Sequence, residues 1–325
     1  MTGKTRPLII WAVSDGRAGI EAQVVGLAEA VARHAPALVV TRRVAWKGPA
    51  RWLPPLLHPA SKAWLEDASA LGPPWPDLWI AAGRASLPLS LRVRERSGGR
   101  TFVVQLQDPR APLARFDLVI PPEHDGLTGP NVFPILGAPT RVNPEKIGSK
   151  AHAFAETLAP LPHPRVAVLI GGKSRAHDLT PRRAEAMAAE VEAAVRAAGG
   201  SVMVTFSRRT PPAAHDILAR RWASLPGTIW SGEGPNPYFA YLAAADALLV
   251  TEDSTNLAID AATTGKPVHV LKMDGGSAKF DRFHAALRAR GVARPFDGRL
   301  EAWTYEPLAE TDRAADEILR RMASA

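Results

Sequence analysis

Short apolar runs alternate along the chain with longer stretches of helical periodicity, and most of the apolar runs end in glycine or polar residues. In the first part of the chain the runs lie at 7–13, 38–44, 77–83, 101–107, 116–120 and, more briefly, 131–136. In the second part they lie at 166–170, 201–206, 228–230, 247–250 and 268–271. Because a crossover between two parallel strands needs a connecting helix, this alternation predicts parallel sheets. We therefore predict an α/β fold of two Rossmann-like domains whose parallel sheets face each other across a cleft.

The length also favours two domains, since the chain has 325 residues and one domain usually has ~100–200. The proline-rich stretch 141–165, with a short helical piece inside it, is predicted to be the linker. The first domain then covers 1–140 and the second covers 166–304. The tail, 305–325, is predicted to form a helix that packs back on the first domain.

The stretch 247–271 shows the clearest βαβ pattern, with an apolar strand, a polar loop, a helix ended by Gly265 and a second strand. Ligands of parallel sheets bind outside the carboxyl ends of the strands, which places the loop 251–256 at a binding site. Ser254 is predicted to cap the helix, whose N-terminal amides and dipole favour a phosphate. Asp260, near the first turns, is a candidate partner for a ribose hydroxyl. An ordinary Rossmann-like unit with a serine cap is the alternative interpretation.

A second loop of the same domain has a composition suited to a phosphate or a sugar. Gly171 and Gly172 follow the strand 166–170 and lead into a lysine and Ser174. The loop is not a P-loop, because the earlier glycine of that motif falls on Ala167 inside the strand. Nucleotide triphosphate hydrolysis is excluded on that ground.

A third loop carries paired arginines at the end of the strand 201–206. Arginines there are suited to a diphosphate through charge-assisted, often bidentate hydrogen bonds, whereas a solvated basic turn is the alternative. A rigid loop rich in glycine and proline near 232–238 is placed to pack against a base. The residues predicted to bind such a ligand are Gly171, Gly172, Ser174, Ser207, Arg208, Arg209, Asn236, Glu252, Asp253, Ser254, Asn256 and Asp260.

The first domain supplies the candidates for a catalytic base. Histidine as a residue type titrates near neutrality. His124 has an adjacent carboxylate, Asp125, that can hold its tautomer, so this pair could deprotonate an acceptor hydroxyl. Asp15 lies in a glycine-containing turn after the first strand and is the other candidate. The alternatives are an ordinary surface histidine and a capping aspartate.

The segment 46–65 mixes tryptophans and leucines with lysines and arginines, and its prolines prevent one long helix. Tryptophan beside basic residues is a composition found at membrane interfaces. The alternative is a proline-rich excursion whose tryptophans pack onto the first domain.

The formal net charge is +8 and the isoelectric point is near 10.1, which suits an anionic partner such as an acidic lipid surface, a phosphorylated substrate or nucleic acid. Nucleic acid is disfavoured because the sequence lacks zinc-finger spacing, an RNP-type motif and a basic helix with heptads. An arginine-rich composition without functional meaning is the alternative.

There is no cysteine, which excludes disulfides and thiolate chemistry. No secretory signal or spanning stretch is found, so we expect a cytoplasmic protein, or one peripheral on the inner face of the membrane.

These motifs resemble known proteins. The sequence D-S-x-x-N, a later acid and G-K-P-V are similar to the nucleotide-sugar signature of GT-B glycosyltransferases, in which a serine and amides hold the diphosphate and the acid binds the ribose. That acid is usually glutamate and is Asp260 here.

Across residues 8–290 the chain resembles bacterial members of the mitochondrial-fission "elongate mitochondria" family. The resemblance rests on SDGRAGIEAQ, PPEHD, GPNVFPILGAP, GGKSRAHDL, SRRTP, GPNPYFAYLAAADALLVTEDSTN and TGKPV. The resemblance implies a GT-B-like fold, and an organelle-division role for the plant members.

The first functional hypothesis is a glycosyltransferase that uses a nucleotide-diphosphate sugar as donor substrate and an amphiphilic or lipid-linked acceptor. Because no D-x-D motif is present, we predict no metal site and no cofactor. Arginines and helix N-termini would neutralise the leaving group. The second hypothesis is a non-catalytic GT-B-like scaffold at a membrane surface, and a nucleic-acid binder is a third that rests on charge alone.

Overall fold

The structure is a computed structural model that describes residues 6–68 and 72–324. The chain forms two compact units. The first unit comprises the described residues up to Arg141 together with those from Ala309 onward, and the second is continuous from Val142 to Leu308. Among residues 6–68 and 72–324, no helix is both long enough and apolar enough to cross a bilayer.

The first unit is built on a five-stranded parallel sheet in the order β2-β1-β3-β4-β5. Its strands are β1 Leu8–Ser14, β2 Ala37–Arg43, β3 Leu78–Ala81, β4 Phe102–Leu106 and β5 Leu118–Ile120, and its helices are α1 Ala18–His34 and α2 Leu87–Arg96. Nearly all residues of the three inner strands are buried, which is why they read as continuous apolar runs in the sequence.

The core on one face of this sheet is completed by the last helix of the chain, α10 Glu310–Met322. Val24, Leu27 and Val31 of α1 recur at helical spacing and are fully buried. Ala314 and Ile318 of α10 belong to the same buried cluster. The carboxyl-terminal helix is therefore part of the first unit's core.

The second unit contains a six-stranded parallel sheet in the order β13-β11-β10-β6-β8-β9. Its larger strands are β6 Arg165–Ile170, β8 Ser201–Phe206, β9 Gly227–Ile229, β10 Ala247–Thr251 and β11 Val268–Leu271, with β13 Ala293–Pro295 at the edge. A separate antiparallel pair joins β7 His177–Asp178 to β12 Asp274–Gly275. The helices are α3 Pro144–His152, α4 Ala155–Leu158, α5 Pro181–Ala197, α6 Pro212–Trp222, α7 Tyr238–Ala244, α8 Thr255–Ala262 and α9 Ala278–Ala289.

Two segments differ from the pattern expected from the sequence. The run 131–136 lies alongside β5 and the residues that follow it, but it pairs there only through isolated bridges, Val132 with Val119 and Ile135 with Pro122. Within 141–165, the stretch predicted to be the linker, α3 and α4 form part of the second compact unit. The first of these helices is capped by Asn143, whose side chain accepts a hydrogen bond from the Lys146 N–H.

Candidate functional site

Three loops of the second unit meet at the carboxyl edge of its sheet. They are 171–174 after β6, 207–210 after β8 and 251–254 at the end of β10, and we call them the donor loops after the donor substrate that the sequence predicts for them. Because β6 lies between β10 and β8, the three loops are neighbours. The Lys173 amide donates to the Arg209 carbonyl at 3.0 Å, and the Gly171 amide donates to Thr251 Oγ1 at 2.7 Å. The sheet order therefore gathers chemistry from three separate parts of the sequence.

The Asp253 carboxylate is at the centre of the donor loops, and its side chain is completely buried. One oxygen accepts from the Gly172 amide at 3.0 Å and from Arg209 Nη2 at 2.7 Å. The other accepts from Thr251 Oγ1 at 2.7 Å. A buried carboxylate is stable only when it is paired and hydrogen-bonded, and these three donors meet that need. The Asp253 carboxylate is thus a negative charge that the donor loops already hold inside them.

The glycines of the first donor loop allow this close approach. A methyl group at Gly171 would overlap the Asp253 carboxylate, and one at Gly172 would overlap the backbone of Arg209. Only glycine leaves enough room for the two strand ends to touch in this way. The Gly-Gly pair is therefore explained by packing inside the site.

The two arginines of the second loop have different environments. Arg209 is ion-paired to Asp253, and its side chain remains 44% exposed. Arg208 is exposed, and no ion pair joins it to a carboxylate within the described ranges. The net positive charge that the loop offers to a ligand therefore comes mainly from Arg208.

The serines of the donor loops mostly bond to backbone. Ser254 is the N-cap of α8, and its Oγ accepts from the Leu257 amide at 3.3 Å, as predicted from the sequence. Asn256 lies in the first turn of that helix. Ser207 donates to the Gly171 carbonyl at 2.8 Å. Ser174 closes its own turn by accepting from the amides of the two residues before Asp178. Together they fix the shape of the loops.

Glu252 connects the ends of β10 and β11. Its carboxylate accepts from the Met273 amide at 2.6 Å and lies 3.3 Å from Lys272 Nζ. Its carbonyl faces Nε2 of His284 at 2.8 Å. Burial lowers the pKa of His284, so the ring is neutral near pH 7 and can donate to this carbonyl. Glu252 therefore holds the end of the sheet together.

Asp260 is bonded to a tyrosine. Its carboxylate accepts from the Tyr238 hydroxyl at 2.7 Å. Burial, and then the negative charge of Asp260, raise the pKa of Tyr238 well above its ordinary value. Asn236 accepts from the Tyr238 amide at 2.9 Å and so shapes the start of α7. Asp260 thus joins α8 to α7, and the predicted contacts of Asp260 and Asn236 with ribose and base stay predictions.

The candidate bases of the first unit lie at the same sheet edge but apart from each other. Asp15 follows β1 and His124 follows β5, three strands away in the sheet order, which corresponds to about 14 Å. Arg17 binds Asp15 through Nε at 2.9 Å and Nη2 at 2.7 Å. The His124 side chain is 5% exposed, with Nε2 3.9 Å from Asp125. One acceptor hydroxyl therefore cannot contact both bases.

Two polar residues of these networks were missed by the sequence reasoning. Thr251 ends β10 and joins Gly171 to Asp253, and Tyr238 binds Asp260. A threonine at the boundary between an apolar strand and an acidic loop was the available signal for the first. Nothing in the local sequence pairs Tyr238 with a residue 22 positions later.

The described residues contain no group of three or more His, Cys, Asp or Glu placed to hold a metal ion.

Solved structures share this fold over nearly the whole chain. A UDP-GlcNAc 2-epimerase from Methanocaldococcus jannaschii matches with a TM-score of 0.60 and 10% identity, over 98% of this chain and 100% of that one. A complex of the enzyme from that organism with UDP-GlcNAc and UDP matches with a TM-score of 0.54, again at 10% identity and with the same coverage. The forosaminyltransferase SpnP matches with a TM-score of 0.52 and 16% identity, over 98% of this chain and 95% of that one. The predicted α/β fold with parallel sheets of the GT-B-like type is confirmed.

Two relatives found by sequence are more similar to this chain in sequence than the solved structures above. The mitochondrial fission protein ELM1 of Arabidopsis thaliana is 34% identical over 284 residues, covering 77% of this chain and 64% of the plant protein. The chain thus spans less than two thirds of that relative's length. An uncharacterized protein of Rickettsia prowazekii is 24% identical over 350 residues, covering 95% of this chain and 97% of that protein. The mitochondrial fission ELM1 family matches residues 18–322, and the chain belongs to that family.

Proposed function

We propose that this protein binds a nucleotide-diphosphate sugar at the donor loops and transfers the sugar to an amphiphilic or lipid-linked acceptor. The observation that carries the proposal is the convergence of the three loops, with two arginines and a capped helix, at the carboxyl edge of one sheet. That edge is where parallel α/β sheets bind ligands. A related fold in complex with UDP-GlcNAc and UDP supports a uridine nucleotide as the first to test.

The diphosphate would lie against the start of α8 and Arg208. Ser254 caps the helix through the Leu257 amide, and the helix dipole together with the other amides of the first turn would favour an anion there. Arg209 contributes less net charge, because Asp253 already neutralises much of it. Asp253 instead holds the Arg209 guanidinium in place beside the glycine turn. The phosphate-binding charge is thus provided by Arg208 and the helix amides together.

In the transfer step the bond between the anomeric carbon and the diphosphate oxygen breaks, and the acceptor oxygen bonds to that carbon. Arg208 and the α8 amides stabilise the leaving diphosphate, which is electrostatic catalysis of the charge that develops. The acceptor hydroxyl gives its proton to a base as the new bond forms. His124 suits this role better than Asp15, because Arg17 already binds the Asp15 carboxylate through Nε at 2.9 Å and Nη2 at 2.7 Å.

Calorimetry with UDP-GlcNAc, a GDP-sugar and a CMP-sugar tests the proposal. Loss of a charge-assisted bond to phosphate corresponds to about 1.5–3 kcal/mol, so Arg208→Ala should weaken binding roughly ten- to a hundredfold. The matched control is Arg220→Ala, which removes an exposed arginine from α6 of the same unit. Equal affinities of the two variants, or no heat with any nucleotide sugar, would contradict the proposed donor site.

A non-catalytic scaffold is the second candidate function. It is favoured by the internal bonds of the site, since Asp253 occupies the Gly172 amide and Tyr238 binds Asp260. A protein that keeps the fold but no longer binds a substrate can retain such bonds because they stabilise the folded state. Stabilisation of the fold separates the two candidates, because a ligand at ~100 times its dissociation constant raises the free energy of unfolding by ~2.7 kcal/mol. An unchanged melting temperature with every nucleotide sugar would support the scaffold.

A further inference from the structure

We propose that the first unit docks on an anionic lipid bilayer through four side chains of the segment 51–57. These are Trp52, Leu53, Leu56 and Leu57, which we call the apolar tip. They are exposed by 73%, 40%, 54% and 76%, respectively. Most large apolar side chains of the first unit are buried, so this concentration of exposed ones within seven residues indicates a binding surface. The inference is independent of the donor site.

The apolar tip is held outward by an anchored base. Trp46, at the start of the longer segment 46–65, is buried and donates its indole N–H to the Ala85 carbonyl at 2.8 Å. Its ring packs against that of His58, with 3.9 Å between the ring centroids. His58 and Ala60 are also buried on the far side of the tip. Pro54 and Pro55 restrict the backbone between these anchors. The fold therefore fixes both ends of the segment while its apolar tip stays in solvent.

This arrangement resolves the two interpretations of the tryptophan-rich segment. Trp46 packs into the first unit, as the packing interpretation expects. Trp52 is among the most exposed of the large apolar side chains, as the interfacial interpretation expects. The segment thus combines a buried anchor with an exposed tip, and Trp64 near its far end is 39% exposed as well.

Arginines form a basic cluster beside the apolar tip. Arg92 of α2 donates to the Leu56 carbonyl at 3.4 Å, and Arg96 donates to the Ala60 carbonyl at 2.9 Å. Burial, and then the positive charges of Arg96 and Arg115, lower the pKa of Arg92. The carboxylate of Glu95 offsets part of this repulsion. Three cations against one carboxylate still leave the cluster net positive. Lipid phosphates would supply that charge at the depth where the tip enters the apolar layer.

The chemistry of the tip favours a bilayer over a protein partner. Arg51 stacks on the Trp52 ring at 5.0 Å, which places a cation next to an amphipathic aromatic side chain, a pair suited to the headgroup level. Apolar side chains that protrude, with arginines at their base, match a layered partner that is apolar inside and anionic at its surface. A protein groove would need a complementary shape, and nothing on this short loop specifies one.

Vesicle co-sedimentation with the full chain tests the docking. Vesicles of phosphatidylcholine alone are compared with vesicles in which about one third of the lipid is phosphatidylglycerol, and we expect strong binding only to the second. The variant Trp52→Ser/Leu57→Ser should lower partitioning more than tenfold. The variant Arg51→Gln/Arg115→Gln should lower it by at least tenfold, at about fivefold per basic residue, and high salt should mimic it.

The matched control is Leu38→Ser, because Leu38 is 60% exposed in the same unit and lies near the start of β2, away from the loop that follows the strand's end. This variant should bind vesicles like the unchanged protein. The substituted tip side chains are exposed, so circular dichroism should show all variants folded. Equal sedimentation of the tip variant and the Leu38 control would overturn the proposal. Tip-dependent dimers in sedimentation velocity, without vesicle binding, would also overturn it and would assign the tip to contact between two copies of the chain.

Discussion

Replacement of Asp253 by asparagine tests the central claim about the donor loops. The substitution keeps the side-chain shape and one carbonyl oxygen but removes the negative charge. In the structure that charge is fully buried and faces Arg209 Nη2 at 2.7 Å and the Gly172 amide at 3.0 Å. The variant should therefore weaken the connection between β10 and β6 without creating a cavity.

The expected magnitude follows from the two partners. Removing one member of a buried ion pair costs about 3–5 kcal/mol when the other is left uncompensated. Arg209 is 44% exposed, so water recovers part of its solvation. Asparagine can also still accept from the Gly172 amide. We therefore expect the free energy of opening in the second unit to fall by about 2–3 kcal/mol.

Hydrogen exchange followed by mass spectrometry is the suitable assay. The chain has two compact units, so a single global unfolding curve would mix their contributions. Peptides covering β6 and β10 report opening of the second unit alone. The control is Asp216→Asn, because Asp216 is 71% exposed on α6 and its partner His215 lies 3.1 Å away. That control should change the free energy of opening by less than about 0.5 kcal/mol.

A double-mutant cycle with Arg209→Met completes the test. If the pair acts as described, the two single variants should not be additive, and the coupling energy should be about 1–3 kcal/mol. The reasoning would be refuted if Asp253→Asn exchanged no faster than Asp216→Asn in the β6 and β10 peptides. In that case the buried carboxylate would make no net contribution to holding the loops together.

Three further predictions concern separate contacts. Gly171→Ala should destabilise the second unit by about 2 kcal/mol or more, since its methyl group meets the Asp253 carboxylate. The control is Gly148→Ala, at an uncrowded position in α3, which should leave the free energy of opening unchanged or raise it in the same exchange assay. Tyr238→Phe should destabilise by about 1–3 kcal/mol because it removes the 2.7 Å bond to Asp260, and unchanged exchange in the α7 and α8 peptides would argue against that bond. Glu317→Gln should cost about 1–2 kcal/mol at pH 7, after discounting for the exposed arginines. Hydrogen bonds from Arg320 and then Arg321 lower the pKa of Glu317 to about 2, so this loss should fade as the pH falls from about 4.5 to about 2, measured by exchange of the α10 peptides of the full chain after correction for the intrinsic rate at each pH.

The strands could be predicted from the sequence wherever the sheet is buried on both faces. Runs such as Val166–Ile170 and Ala247–Val250 are apolar throughout, because inner parallel strands expose neither side. The edge strand Ala293–Pro295 was missed, since it is short and contains an arginine and a proline that an edge tolerates. The prediction was best where burial determines the residue type.

The meeting of the donor loops could also be predicted, because parallel strands end at one edge. The direction of each polar side chain could not. Asp253 looks in the sequence like an exposed loop acid, yet it turns inward because two glycines and Thr251 leave room and donors for it. Asp260 binds Tyr238 through a helix contact that local pattern does not encode. The sequence pattern identified the sheet edge at which these residues meet, whereas tertiary packing determines which partner each acidic side chain has.

The discontinuous first unit has a consequence for biosynthesis. Its core needs Ala314, Ala315 and Ile318, which the ribosome makes only after the whole of the continuous second unit. Until those residues emerge, the apolar face of α1 stays open, and at about 5–20 residues per second this interval lasts on the order of ten seconds or more. The nascent amino-terminal unit should therefore need a chaperone while the later one folds beside the exit tunnel.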